Sequence, residues 1–154
     1  MSKNTKGNPL TRRDFVTRTL AATAGFTIVP SFAVSGLGHM APSDKLNIAG
    51  IGIGGMGFDN LKSMETENIV GLCDVDWKYA DRVFQHYPNA KKYKDFRKMY
   101  DEMGKSIDAI VVATADHTHA IVSADAMVMG KHVYVQKPLT HTVYESKAFD
   151  KTCR

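Results

Sequence analysis

Three short segments carry groups whose type and spacing can do chemistry. The first is Gly52-Ile53-Gly54-Gly55-Met56-Gly57, a G-x-G-x-x-G that directly follows the apolar run of residues 46–51. In such a turn the first glycine permits a tight bend. The second lets backbone approach a pyrophosphate, and the third lets the next helix pack on the strand. Amide groups and the helix dipole then favour an anion. Glycines alone are a weak signal, but here an acid stands at the end of the next apolar run. Asp74 lies 20 residues beyond Gly54, where a carboxylate accepts hydrogen bonds from adenosine ribose hydroxyls. Together they read as a dinucleotide fingerprint, with Gly52, Ile53, Gly54, Gly55, Met56, Gly57 and Asp74 as cofactor-binding residues. Asp76 is the rival acid, further past the strand and placed to cap the following helix.

The second segment, Thr114-Ala115-Asp116-His117-Thr118-His119, follows the strongest apolar run, residues 107–113. The third, Gln136-Lys137-Pro138-Leu139, follows residues 133–135. Both sit at the carboxyl ends of expected strands, where open parallel sheets bind ligands. His117 and His119 form an H-x-H, which lacks the further ligands of a zinc site; no metal is expected, and the segment also reads as a helix cap with a solvated histidine. Lys137 is placed to bind hydroxyls of a sugar or of the nicotinamide ribose, or else marks an exposed turn that Pro138 fixes. The basic run Lys91, Lys92, Lys94, Arg97 and Lys98 reads as a solvated sheet edge, and Trp77 as a core or surface residue. Neither G-x-S-x-G nor H-E-x-x-H occurs.

Elements that position these segments follow from the apolar pattern. Strands are expected at residues 46–51, 69–73, 92–93, 107–113 and 133–135. Helices are expected over 57–64, from about 77 to 87, from an Asp95 cap to Met103 with Gly104 as terminator, and over 120–129, with a last one starting near Thr142. Continuous apolar strands alternating with helices predict an α/β fold, a doubly wound parallel sheet covered on both faces. A composition of 44% hydrophobic and 23% charged residues excludes a disordered chain, a coiled coil and a collagen-like repeat.

Charge separates the chain into two parts. Residues 1–40 hold Lys3, Lys6, Arg12, Arg13 and Arg18 against Asp14 alone, whereas residues 41–154 carry 15 basic and 15 acidic side chains. A neutral body lacks the footprint of a nucleic-acid binder, so nucleic acid is not an expected partner. The basic start, the apolar residues 20–29 and the small residues of 31–35 are the three parts of a signal peptide. Arg12-Arg13-Asp14-Phe15 resembles the twin-arginine export signal, giving a leader over 1–33 and a linker over 34–44. The apolar run is too short for a lasting membrane anchor. The expected location is the bacterial periplasm, reached through the twin-arginine machinery; a cytoplasmic protein with a chance Arg-Arg pair is the alternative. Cys73 and Cys153, the two cysteines, form no C-x-x-C and no disulfide framework.

The glycine turn with Asp74, TADHTH and QKPL together resemble the N-terminal half of the Gfo/Idh/MocA oxidoreductases. The resemblance implies a Rossmann-type domain that binds NAD, with NADP less favoured, and a sugar, polyol or related compound as substrate. It implies that Thr114, Asp116 and His119, matching the family's T-P-[ND]-x-x-H, line the cofactor site. It assigns Lys137, matching the lysine of E-K-P, to the nicotinamide and the substrate as cofactor-binding and catalytic residue. Ala115 stands where the family has proline and Gln136 where it has glutamate, so no role for that carboxylate carries over. Only five strands are expected where such a domain has six. The sixth strand and the family's C-terminal domain are expected to be absent, leaving a truncated domain over 45–154. As such it is expected to bind NAD weakly, to melt early through the open edge of the fifth strand, and to turn nothing over alone. Two other readings are an NAD-binding module without catalysis and an NAD-dependent glycoside hydrolase.

Overall fold

A computed structural model of the chain describes residues 44–153. The expected leader, and all but the last residue of the expected linker, lie outside this range. Within it, strand and helix alternate: β1 (Asn47–Ile51), α1 (Met56–Lys62), β2 (Asn68–Cys73), α2 (Asp81–His86), β3 (Lys91–Tyr93), α3 (Phe96–Met103), β4 (Ala109–Val112), α4 (Asp116–Val128), β5 (His132–Val135) and α5 (Val143–Thr152).

All five strands are parallel, in the order β3-β2-β1-β4-β5. The chain winds outward from β1 to β3, then crosses back to β4 on the other side of β1. This is the order of a dinucleotide-binding sheet, and its reversal between β1 and β4 is the switch point where a crevice opens. Register brings the strand ends level. Ile51 pairs with Cys73 and with Val112, Cys73 with Tyr93, and Val112 with Val135.

The two faces of the sheet bury different helices. Ala49, Ile51, Ile110 and Val112 pack with Met99, Tyr100 and Met103 of α3 and Val122 and Ala126 of α4. Ile48, Leu72 and Val111 face the other way, against Phe58 and Leu61 of α1 and Val83 and Phe84 of α2. The alternation follows the two-residue period of a strand. Each fully buried Leu, Ile or Val contributes about 1.5–3 kcal/mol, so the frame holding the glycine turn is stiff.

Several boundaries differ from the sequence reading. The helix expected from residue 77 starts at Asp81, because the Asp76 carboxylate accepts the Tyr79 N–H at 3.0 Å and closes a turn first. α4 starts at Asp116, four residues before the expected Ala120, and its N-cap Ala115 supplies no side-chain hydrogen bond. Asp95 caps α3 as expected, accepting the Arg97 N–H at 2.9 Å. Gly104 does not end that helix in a left-handed conformation, and the chain tightens into a 3-10 turn over Gly104–Ser106. β5 is not apolar on both faces. Val133 and Val135 pack on the core, while His132 and Tyr134 alternate outward and are exposed.

Candidate functional site

A cleft of about 680 Å³ opens at the switch point, between the ends of β1, β2 and β4. Its floor is the glycine turn. Gly52 has φ +75° and donates its N–H to the Cys73 carbonyl at 2.9 Å. A Cβ there would come within 2.6 Å of the Thr114 nitrogen, so the β1 turn nests directly against the β4 turn. A Cβ on Gly57 would strike the Gly52 carbonyl oxygen, which is why α1 packs so closely on its strand. A Cβ on Gly54 would run into the ring of Tyr79. The turn thus tolerates only glycine at these three positions, and at Gly54 its backbone faces the cleft, beneath the Tyr79 ring.

Asp74 stands beside this turn. Its Oδ2 accepts the Gly54 N–H at 3.1 Å and its Oδ1 accepts the Asp76 N–H at 2.9 Å. A carboxylate has about four acceptor positions, so both oxygens keep capacity for a ligand's hydroxyls. Asp76, the rival acid, does not line the cleft; its Oδ1 holds the turn before α2. Cys73 lies at the same strand end, but burial, with the neighbouring Asp74 charge, pushes its thiol up to about 12. It is no nucleophile near neutral pH.

The other sequence-assigned residues divide. Thr114 lines the cleft with His117 and Thr118, and the Thr118 hydroxyl lies 2.7 Å from that of Thr114. Ile53 is buried against α1 and Met56 is exposed at its start, and neither lines the cleft. Asp116 is exposed in the first turn of α4 and does not line the cleft. Nor does His119, which is 1% exposed. Its Nδ1 lies 2.6 Å from the Pro138 carbonyl oxygen and its Nε2 3.0 Å from that of Thr114. The ring therefore braces the turn after β4 to the turn after β5. Lys137 is exposed at the end of β5, on the same edge of the sheet but outside the cleft wall; its N–H donates to Gln136 Oε1 at 2.9 Å.

Part of the cleft wall went unassigned in the sequence. Tyr79, Lys94, Phe96 and Arg97 form the wall on the β3 side. Lys94 and Arg97, read as part of a solvated edge, face the cleft because β3 ends level with Cys73. Arg97 reaches Asp95 at 3.5 Å, and the Lys94 ammonium sits 5.4 Å from the Trp77 ring centre. For Lys94, Phe96 and Arg97 the available signal was their place just past the end of β3.

Comparison with known proteins agrees with this geometry. Residues 46–154 match the model of the GFO_IDH_MocA family, described as an oxidoreductase family with an NAD-binding Rossmann fold. This chain belongs to the Gfo/Idh/MocA family. Among curated relatives of this Gfo/Idh/MocA domain, the alpha-N-acetylgalactosaminidase of Shewanella oneidensis is 28% identical over 146 residues, covering 84% of this chain and 31% of the relative. A glycosyl hydrolase family 109 protein of Akkermansia muciniphila is 31% identical over 121 residues, covering 70% of this chain and 25% of the relative. The chain thus spans a third or less of these relatives. Of solved structures, the fold matches an Agrobacterium radiobacter oxidoreductase in complex with NAD+, L-tartaric acid and magnesium, with TM-score 0.65 and 22% identity over 71% of this chain and 32% of that one. It also matches the Lactobacillus casei myo-inositol dehydrogenase in complex with NAD(H) and myo-inositol, with TM-score 0.64 and 23% identity over 70% and 33%.

Proposed function

We propose that this NAD-binding domain serves an oxidoreductase acting on a sugar, polyol or related compound, and that it takes NAD in preference to NADP. The Gly52–Gly57 turn would hold the pyrophosphate, Asp74 the adenosine ribose, and Thr114 the far side of the cleft. Asp116, His119 and Lys137 would act toward the nicotinamide end, His119 by fixing both turns and Lys137 through its ammonium. The nicotinamide ring supplies a hydride acceptor when the cofactor is bound. The chain's own part is to orient it at the carboxyl ends of β4 and β5.

One observation carries this reading. Asp74 and the Gly54 amide meet at 3.1 Å on the floor of one cleft, so a ribose held by one would adjoin a pyrophosphate held by the other. The 2′-phosphate of NADP would meet the Asp74 carboxylate as a like charge, which costs several kcal/mol. Lys94 and Arg97 on the opposite wall offset part of that repulsion. Calorimetric titration of the chain with both cofactors tests it. We expect NAD to bind at least about tenfold tighter, a difference of about 1.4 kcal/mol, and Asp74→Ser to shrink the gap. Equal affinities in the parent protein reject Asp74 as the discriminator.

A second reading is favoured by the curated relatives, which carry glycosidase names. A hydrolase that holds NAD tightly releases sugar from glycosides with no net NADH, whereas a dehydrogenase accumulates NADH from polyols. Incubating the protein with both substrate classes separates the two. Residues 1–33 are proposed to be a twin-arginine leader that directs the folded protein to the periplasm.

A further inference from the structure

We propose that Tyr79 is a gate on the phosphate turn: its phenol ring and a dinucleotide's pyrophosphate are alternative occupants of the same face of Gly54 and Gly55. The inference rests on the NAD reading above and adds a residue to it. A side chain on Gly54 is excluded here by the Tyr79 ring itself, and the phenolic oxygen lies 3.0 Å from where a Cβ on Gly55 would stand. The cradle that lets a phosphate reach backbone is therefore the surface on which the ring rests. Two bodies cannot share that van der Waals space, so the ring must leave before the pyrophosphate seats.

The ring is built to move. Tyr79 is 65% exposed, and among the described residues its hydroxyl makes no hydrogen bond. Its backbone, by contrast, is pinned, with the N–H held by Asp76 Oδ1 at 3.0 Å. A fixed Cα with an unanchored ring leaves side-chain rotation as the motion, on the picosecond-to-nanosecond scale of exposed rotamers. Asp76 thereby gains a purpose beyond the turn, because it sets the hinge from which the ring swings. Neither glycine contributes a side chain that would hold the ring in place, so displacement costs only the contact with the turn.

Displacing a ring about one-third buried should weaken binding about fivefold relative to an ungated turn, on the scale of partial apolar burial. We expect Tyr79→Ala to bind NAD about fivefold tighter by calorimetry, and to associate faster in stopped flow. Tyr79→Phe, which keeps the ring, should match the parent. The ring can be followed directly with 3-fluorotyrosine, its resonance assigned by its loss in Tyr79→Phe. NAD and ADP should shift that signal, whereas adenosine, lacking a pyrophosphate, should leave it in place. Unchanged or weaker NAD binding in Tyr79→Ala, with the parent binding NAD, overturns the gate alone. A ring that moves equally with adenosine also overturns it. A parent that binds no NAD overturns the NAD reading and the gate together.

Discussion

His119 shows how a residue can brace the elements around a cleft without facing it. A buried imidazole is tolerated when its nitrogens find partners, and this one lies between the Thr114 and Pro138 carbonyls. Those two residues belong to the turns that end β4 and β5. The ring thus ties the Thr114 side of the cleft to the turn that carries Lys137. Substituting His119→Ala opens a cavity and removes the ring N–H from the one carbonyl that accepts it, and should cost about 2–4 kcal/mol of stability. His119→Phe restores volume but no donor, so it should still cost about 1–3 kcal/mol. Urea melts of the three proteins measure both values, and a Phe variant as stable as the parent would show that volume alone matters. NAD affinity should fall in both variants while Asp74 keeps its contacts. The sequence marked His119 as important through its motif, but ring burial depends on β5 lying beside β4, a contact remote in the chain.

Element ends decide what the strands and helices present, and α5 has the most explicit start. Thr142 Oγ accepts the Glu145 N–H at 3.1 Å, and Glu145 Oε2 accepts the N–H groups of Thr142 and His141, both at 2.8 Å. This reciprocal cap is a known helix-start device, and Thr142→Ala should cost about 1 kcal/mol. Hydrogen bonds from the Thr142 backbone, and then from His141, hold the Glu145 carboxyl below the usual carboxylate range. A depressed acid stabilises the fold above its unfolded value and loses that contribution as pH falls through the folded one. Amide exchange at His141 and Thr142 should therefore accelerate, relative to core amides, as pH falls through and below the ordinary carboxylate range; exchange indifferent to pH after correction for its intrinsic rate would refute the cap's role. The sequence signalled this element through Thr142 and Glu145, and β1, β2 and β4 through continuous apolar runs. It failed at α4, whose N-cap Ala115 has no side chain to signal a start. It also failed on the β3 side, where a three-residue strand with two exposed lysines gives little pattern. The cleft wall of Phe96 and Arg97 was lost with it.

At the scale of the whole chain, charge is partitioned in a way the fold does not require. The family match and the described elements cover the neutral part, while residues 1–40 carry the entire net charge of +4. In the export proposal, the basic segment ahead of the short apolar run would be read by a receptor as an address. A domain whose cleft takes a dinucleotide gains from export in the folded state, since the cofactor can be loaded before crossing. The two ideas make a joint prediction. Replacing Arg12 and Arg13 together by lysine keeps the charge but alters the address. In a bacterium with a twin-arginine system, the variant should accumulate unprocessed in the cytoplasm, still able to bind NAD once purified. Immunoblots of cell fractions read the first outcome, and calorimetry of the retained precursor reads the second. Normal processing of the double-lysine variant would overturn the address. Retention together with lost NAD binding would mean that the arginines serve the fold instead.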